Sequence, residues 1–142
     1  MIVRPLTQED GPALADFEAR RLPEGRTGRT GPAALGFFAR SGHSFVAEED
    51  GLRGFVLAQP LWQGDRATVL ATRLLADGPE TARALLAALT KSAHDAAAYE
   101  VALLADPESP LAEAARAQGF VAGPRLYARV LGRRRDPRGV LE

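Results

Sequence analysis

The order of apolar and polar positions in the N-terminal part of the chain predicts a strand followed by a helix. Residues 1–6, with the sequence MIVRPL, alternate in the manner of a strand. Thr7 and Asp10 then give an N-cap signal, and Leu14 and Phe17 lie at the spacing of one buried helix face. The chain therefore opens with a strand and an amphipathic helix.

A loop, a second helix and three strands are predicted next. The polar, glycine-rich residues 23–31 indicate a loop, and Leu35 and Phe38 mark the buried side of a short helix after it. Residues 43–62 contain two apolar runs separated by an Asp-Gly turn, which is the pattern of a β-hairpin. A second turn leads to residues 66–75, so we expect three successive antiparallel strands.

The most regular helical pattern lies between residues 79 and 98. Its recurring apolar positions are Ala82, Leu85, Leu86, Leu89, Ala93 and Ala96. The near-continuous apolar residues 100–105 follow as a strand. Because a strand, a helix and a strand in succession form a right-handed crossover, we expect residues 66–75 and 100–105 to be parallel neighbours.

The C-terminal part predicts a capped helix and a last strand. The segment SPLAEAARAQGF indicates a helix that ends at Gly119, and residues 125–131 indicate a strand. Together the elements predict one α/β (α+β) domain over residues 1–132, with a mixed, mostly antiparallel sheet flanked by helices. An Arg-rich tail over residues 133–142 follows, which we interpret as a solvated segment or a subunit contact.

Composition narrows the classes of partner. The chain has 142 residues with 18 basic and 18 acidic side chains, so its formal charge of zero gives no general attraction to nucleic acid or to an acidic membrane. The chain contains no cysteine, which excludes thiol chemistry and thiolate metal sites and favours a cytoplasmic location. No apolar run approaches the length of a membrane span, and we expect no metal site.

Three segments of the chain resemble the GNAT superfamily of N-acetyltransferases. IVRPLTQEDGPALADF is similar to the family's first strand and helix, ETARALLAAL to the start of its cofactor helix, and SPLAEAARAQGF to the helix before its closing Gly-Phe. The segments GHSFVAEE, KSAHDAAAYEVAL and RGVLE further resemble a small, divergent bacterial family with this fold. The resemblance implies a GNAT-like acyl-CoA N-acyltransferase fold in which the two parallel strands diverge at their C-terminal ends.

In the superfamily, acetyl-CoA lies between these diverging strands, and its pyrophosphate meets backbone N–H groups of an R/Q-x-x-G-x-G/A loop. The resemblance places this loop at residues 77–82, where only Ala82 fits the pattern. Pro79 offers no N–H group, and Glu80 would repel a phosphate by about 3 kcal/mol if it faced one at about 5 Å. The same residues fit a capped helix, with Asp77 as N-cap and Glu80 at the third helical position.

The cofactor contacts that the resemblance leaves are backbone groups of the strand and of the helix start. They belong to Leu74, Leu75, Thr81, Ala82 and Arg83. The resemblance implies acetyl-CoA as the cofactor, and the departures from the loop pattern predict that it binds weakly or not at all.

The usual catalytic groups of the superfamily are missing from their expected positions. Ala115 stands where GNAT enzymes commonly carry a Tyr general acid, and residues 66–75 contain no carboxylate that could act as a base. The remaining candidates are His43, His94, Tyr99 and Tyr127, each interpreted as structural, and Trp62, which is expected to pack beside its turn. We therefore name no catalytic residue from the sequence.

Two functions remain open. The first is an acyl-CoA-dependent N-acetyltransferase that acts on a small-molecule or protein amine. The second is a catalytically inactive GNAT-fold module that binds a ligand or another protein, because a fold alone does not fix a function. The sequence is compatible with a monomer and with a homodimer.

Overall fold

The computed structural model describes residues 1–22, 29–123 and 128–129. Its helices and strands, in chain order, are β1 (Ile2–Pro5), a 3₁₀ turn (Gln8–Asp10), α1 (Gly11–Arg21), α2 (Pro32–Arg40), β2 (Phe45–Glu48), β3 (Leu52–Gln63), β4 (Arg66–Ala76), α3 (Pro79–Asp95), β5 (Glu100–Leu103) and α4 (Pro110–Ala117). Three predicted segments lie wholly or mostly outside the described residues: the loop at 23–31, the strand at 125–131 and the tail at 133–142.

The five described strands form one mixed sheet in the order β1-β2-β3-β4-β5. Neighbouring strands from β1 to β4 are antiparallel, whereas β4 and β5 are parallel and are joined by α3. The turn between β2 and β3 holds Asp50 and Gly51 at positive φ angles of 56° and 112°, which Asp and Gly tolerate better than bulky residues do. The predicted hairpin, the three antiparallel strands and the parallel crossover are confirmed.

Two apolar clusters pack on opposite faces of the sheet. On one face, α3 buries Leu86 and Leu89 against the strands. On the other face, α1 and α2 bury Leu14, Phe17 and Leu35. Alternate residues of β3 contribute to the two clusters, because successive side chains of a strand point to opposite faces.

α3 buries the predicted face but ends earlier than predicted. The buried predicted positions are Ala82, Leu85, Leu86, Leu89 and Ala93. The helix ends at Asp95, Ala96 is exposed beyond it, and Ala97 adopts a positive φ of 59°. The prediction of a helix to residue 98 was wrong, because the alanines at its end carry no stop signal although the chain must reverse there to enter β5.

Polar groups close the helix ends near both termini of the domain. Asp10 Oδ2 accepts a hydrogen bond from the Thr7 backbone N–H at 2.8 Å, but this pair caps the 3₁₀ turn that precedes α1 rather than α1 itself. Ser109 Oγ accepts one from the Ala112 N–H at 3.1 Å, as predicted for the start of α4. Gly119 follows the end of α4 with a φ of 88°, the left-handed conformation expected at a helix stop.

β4 contains one extra residue relative to β3. Leu57 pairs with Arg73, and the next residue of β3, Ala58, pairs with Ala71, which leaves Thr72 without a partner on β3. Such a bulge shifts the alternation of side chains by one residue. Ala71 therefore packs in the α3 cluster, whereas Arg73 reaches the α1 side of the sheet.

Candidate functional site

β4 and β5 separate at the place where the family resemblance puts the cofactor. Their parallel register ends with Ala71 opposite Leu103, and the Leu104 N–H donates to Ala71 O at 3.0 Å. β4 continues to Ala76, and no described residue pairs with its β5-facing edge beyond Ala71. Residues 72–76 therefore keep a β5-facing edge that no described strand covers, in keeping with the predicted divergence of the two strands.

The predicted positions of Asp77 and Glu80 in the cap of α3 were wrong. The N-cap residue is Gly78, so Asp77 lies before the cap and Glu80 is the second helical residue. Asp77 instead accepts hydrogen bonds from Thr81 Oγ1 at 2.8 Å and from Arg53 Nη1 at 3.1 Å. Burial would raise the pKa of Asp77, but these hydrogen bonds and the charge of Arg53 hold it below its ordinary value. Asp77 is therefore an ionised link between β3 and α3.

A glycine in β3 allows the start of α3 to pack closely on the sheet. A Cβ atom on Gly54 would lie 2.6 Å from Leu75 O and 3.0 Å from Thr81 Cγ2. Real Cβ atoms do not come as close as 2.6 Å to another atom, and Leu75 O is backbone that cannot turn away. Gly54 therefore lets Thr81, which is buried, dock the first turn of α3 against the ends of β3 and β4.

Few backbone donors are available at the start of α3. The Ala82 N–H donates to Gly78 O at 3.1 Å, so this predicted cofactor contact is already used within the helix. Arg83 lies one residue further into the helix, where its N–H points towards the preceding turn. The Thr81 N–H makes no hydrogen bond with the described residues and is the predicted donor that stays available.

A cleft of about 450 Å³ opens over the start of α3. Its lining residues are Met1, Glu49, Arg53, Asp77, Gly78, Pro79, Glu80 and Thr81. Three carboxylates face two positive groups there, namely Arg53 and the N-terminal amine, which lies 3.9 Å from Glu49 Oε1. Glu80 is exposed and forms no ion pair with any described residue. The cleft is therefore net negative, which disfavours a bound pyrophosphate.

Leu74 and Leu75 point to opposite faces of β4. Leu74 is buried in the α3 cluster, and Leu75 packs against the cluster beneath α1 and α2. Both side chains belong to the core, so a ligand beside β4 would meet the backbone of these residues rather than their side chains.

The position expected to hold a general acid is buried. Ala115 lies in α4, is 5% exposed, and packs in the α3 cluster. It has no proton to donate. A larger side chain at this position would overpack the contact between α3 and α4.

A buried carboxylate that sequence reasoning missed lies on the other side of β4. Glu18 of α1 is 0% exposed, and its carboxylate accepts from Arg73 Nη1 at 2.6 Å, from Thr30 Oγ1 at 2.7 Å and from the Thr30 N–H at 2.9 Å. The sequence could have indicated this burial, because Glu18 lies four residues after Leu14 and one after Phe17, on the apolar face of α1. The carboxylate is held by these donors as an ion pair, so it is not a free base.

His43 lies next to a serine, far from the start of α3. Its Nδ1 lies 2.6 Å from Ser92 Oγ, and the Ser92 hydroxyl donates its hydrogen to Gly42 O at 3.0 Å. Ser92 is thirteen residues along α3 from Pro79, which is about 20 Å at the rise of an α-helix. Burial lowers the pKa of His43, so the neutral ring is favoured. The pair joins the start of β2 to α3, in keeping with a structural role.

The other polar and aromatic candidates lie on the surface or outside the described residues. His94 is exposed, and its Nδ1 lies 3.9 Å from Asp95 Oδ1, whereas Lys91 Nζ holds the same carboxylate at 2.6 Å. Tyr99 is 61% exposed, and the Arg66 guanidinium carbon lies 4.3 Å from the centroid of its ring. Trp62 is 71% exposed, so the expectation that it packs beside its turn was wrong. Trp62 lies near the end of β3, just before the turn into β4, and Tyr99 lies just before β5, after the chain reverses beyond α3. Tyr127 lies outside those residues.

Two other kinds of site are absent from the part of the chain that the structure describes. No cluster of three or more His, Asp or Glu side chains there could hold a metal ion. None of the described helices is long and apolar enough to cross a membrane.

Comparisons with known proteins place the fold. Wild-type TTHA1254 from Thermus thermophilus is 48% identical, with a TM-score of 0.81 over 94% of this chain and 100% of that one. A ribosomal-protein-alanine N-acetyltransferase from Brucella melitensis biovar Abortus 2308 is 18% identical, with a TM-score of 0.69 over 92% of this chain and 100% of that one. AAC(6')-Iy in complex with the bisubstrate analog CoA-S-monomethyl-acetylneamine is 18% identical, with a TM-score of 0.73 over 91% and 96% of the two chains.

The last two likenesses establish the fold, which is the mixed α/β fold of GNAT acyltransferases, as the resemblance implied. No curated protein matches the chain. A family model described as "Protein of unknown function (DUF1999)" matches residues 4–139. The chain therefore belongs to the DUF1999 family and has a GNAT-like fold.

Proposed function

We propose that this protein is an acyl-CoA-binding N-acyltransferase of the GNAT type, with weak cofactor binding and little acid–base help for the transfer. The observation that carries the proposal is the uncovered edge of β4, where pairing with β5 ends at Ala71 and β4 continues to Ala76. An acyl-pantetheine arm would lie along this edge and hydrogen-bond to the strand backbone. The acceptor is a small-molecule or protein amine, and a cytoplasmic location, favoured by the absence of cysteine, gives access to acyl-CoA.

The chemistry of this transfer needs two proton movements. The amine nitrogen forms a bond to the thioester carbonyl carbon and loses a proton, while the C–S bond breaks and the departing thiolate gains one. General acid–base groups usually contribute about a hundred- to ten-thousandfold to such steps. Ala115 has no proton to give and Glu18 is ion-paired, so the transfer would depend on proximity of the two substrates and on water.

A second function, an inactive ligand-binding or protein-interaction module, is favoured by one observation. The cleft over the start of α3 carries more carboxylates than positive groups, and Pro79 offers no N–H to a phosphate. In this alternative the GNAT-like fold is kept as a scaffold and the acyl-CoA site is no longer used.

Calorimetric titration of the full chain with acetyl-CoA tests the proposal. We expect weak binding, and we expect Glu80→Gly to tighten it severalfold, because the substitution removes a negative charge near the phosphates and frees the backbone. The substitution should also lower the free energy of unfolding by about 1 kcal/mol, since glycine is unfavourable within a helix. Glu113→Gly, the same change in the first turn of α4, is the matched control and should leave the affinity unchanged.

The site of binding is tested by the amide NMR signals of residues 72–76, which should shift on addition of acetyl-CoA. If neither the wild-type protein nor Glu80→Gly binds acetyl-CoA, the proposal is rejected in favour of the inactive module. Rapid acetylation of a panel of amines by the wild-type protein would reject the part of the proposal that concerns missing acid–base help.

A further inference from the structure

A recess of about 320 Å³ lies at the C-terminal end of α1. Its lining residues are Phe17, Arg20, Arg21, Asp50, Leu52, Arg53 and Asp77. It adjoins the cleft over the start of α3, and the Arg53–Asp77 ion pair lines both. We propose that this arginine recess binds a diphosphate-type anion, either free or as part of a nucleotide or a coenzyme.

The first support is that two of the guanidinium groups are held against one buried ring. The Arg21 guanidinium carbon lies 5.0 Å from the centroid of Phe17, and that of Arg20 lies 5.7 Å from it. Arg21 Nη1 also donates to Ala76 O at 3.3 Å, at the end of β4. Phe17 is 2% exposed and packed in the core, so it offers a fixed surface on which both cations are positioned before a ligand arrives.

The third guanidinium is fixed by hydrogen bonds. Arg53 Nε donates to Glu49 O at 2.9 Å, and its Nη1 donates to Asp77 Oδ2 at 3.1 Å. A guanidinium has five N–H donors, so Arg53 and Arg21 keep donors beyond those engaged in these bonds. Arg20 makes no hydrogen bond or ion pair with the residues that the structure describes, although it is placed by Phe17. The recess therefore combines fixed positions with spare donors.

The second support is the difference in charge between the two neighbouring sites. The recess sets three guanidinium groups against Asp50 and Asp77, and Asp77 is already neutralised by Arg53 and hydrogen-bonded by Thr81. The cleft over α3 is net negative. A ligand with several negative charges is therefore attracted to the recess and repelled from the cleft. The planar fork of a guanidinium matches the oxygens of an oxyanion in pairs, which favours an oxyanion over a halide. Three guanidinium groups favour a diphosphate over a single carboxylate, because a diphosphate carries more negative charges and more acceptor oxygens.

Inorganic pyrophosphate is the probe. We expect calorimetric titration of the full chain at low ionic strength to detect binding that weakens at high ionic strength, because exposed charges are screened by salt. The double variant Arg20→Gln/Arg21→Gln should lose at least about tenfold in affinity, as expected when charge-assisted hydrogen bonds are removed. Arg40→Gln, at the end of α2, removes one exposed charge elsewhere and is the matched control, expected to bind as the wild type does.

A gain-of-affinity variant makes the test independent of damage to the fold. Asp50→Asn removes one opposing charge from the recess without changing the size of the side chain, and Asn tolerates the positive φ of this turn. We expect it to bind pyrophosphate severalfold more tightly. The inference is overturned if the wild-type protein does not bind pyrophosphate or if the double variant binds it as tightly as the wild type does. It is also overturned if Arg83→Gln, on α3, weakens pyrophosphate binding while the double variant does not.

Titration with acetyl-CoA separates this inference from the proposed function. Pyrophosphate binding that depends on Arg20 and Arg21, without any acetyl-CoA binding, supports the recess and rejects the acyltransferase. Acetyl-CoA binding that competes with pyrophosphate and weakens in the double variant supports both, with the coenzyme as the source of the phosphates. Acetyl-CoA binding without any pyrophosphate binding rejects the recess and leaves the proposed function standing.

Discussion

The two faces of β4 are stabilised in different ways. The face towards α3 is apolar, with Val69, Ala71 and Leu74 packed beneath the leucines of α3. The face towards α1 carries Arg73, which forms a buried ion pair with Glu18. One strand thus contacts an apolar core on one side, and on the other an apolar cluster together with one buried ion pair, beside the edge that the proposed acyl group would use.

The two faces differ in what determines the loss of stability when one side chain is truncated. Truncating a leucine leaves a cavity, and the cost depends on how far the neighbours can relax. Removing one member of a buried ion pair leaves a charge without its partner, and that cost depends on whether water can reach the remaining charge. The Arg73 side chain is 19% exposed whereas that of Glu18 is 0% exposed, so the two members of the pair are not equivalent.

The largest effect is therefore expected for Arg73→Met. This substitution leaves the Glu18 carboxylate buried with only Thr30 as donor, and we expect the free energy of unfolding to fall by about 3–5 kcal/mol. Glu18→Gln should cost less, because water can reach the Arg73 guanidinium. Urea unfolding of both variants measures the two costs.

A double variant completes this test. Glu18→Leu combined with Arg73→Met removes both charges, and it should be more stable than Arg73→Met alone, since no unpaired charge remains. If Glu18→Gln proves more destabilising than Arg73→Met, the asymmetry of exposure does not govern the pair.

The same comparison explains which parts of the molecule the sequence predicted. The α3 face was found from the helical spacing of Leu85, Leu86 and Leu89, because burial of one helix face imposes that period directly. The ion pair on the α1 side was not predicted, because the extra residue Thr72 in β4 reverses the alternation of side chains between the two faces. No local sequence pattern marks such a bulge. Without the bulge, Arg73 would lie on the same face as Ala71.

The candidate site was predicted less completely than the fold. Parallel pairing of β4 and β5 followed from the order of elements and their divergence from the family resemblance, but the residues of the cap at α3 followed from neither. The residues from Asp77 to Glu80 contain two possible N-cap positions, and Gly78 takes this position while Asp77 binds Arg53, which is distant in sequence. Contacts of this kind depend on the tertiary fold, so local capping rules could not show them.

On the apolar face, Leu86→Ala is expected to lower the free energy of unfolding by about 3 kcal/mol. Leu86 is 0% exposed at the centre of the α3 cluster, and the substitution removes buried methyl groups and leaves a cavity. Leu61→Ala, at a position that is 40% exposed on β3, is the control and should change stability by less than about 0.5 kcal/mol. Similar losses for Leu61→Ala and Leu86→Ala, measured by urea unfolding, would show that burial against α3 is not what stabilises this face.

The smallest effect concerns the polar contact between His43 and Ser92, which lies on the α3 side of the sheet. Burial lowers the pKa of His43, so between its folded pKa and the ordinary value of about 6.5 the unfolded chain binds more protons than the folded protein. Stability from the neutral ring is complete above about pH 6.5 and decreases as the pH falls through that window, by at most about 1.4 kcal/mol per pH unit. Urea unfolding at a series of pH values should show this slope in the wild type and in His94→Gln, whose histidine is exposed, but not in His43→Gln. If the same pH dependence of stability persists in His43→Gln, a group other than His43 titrates in this window. The contact between His43 and Ser92 would then contribute no pH-dependent stability to the α3 face.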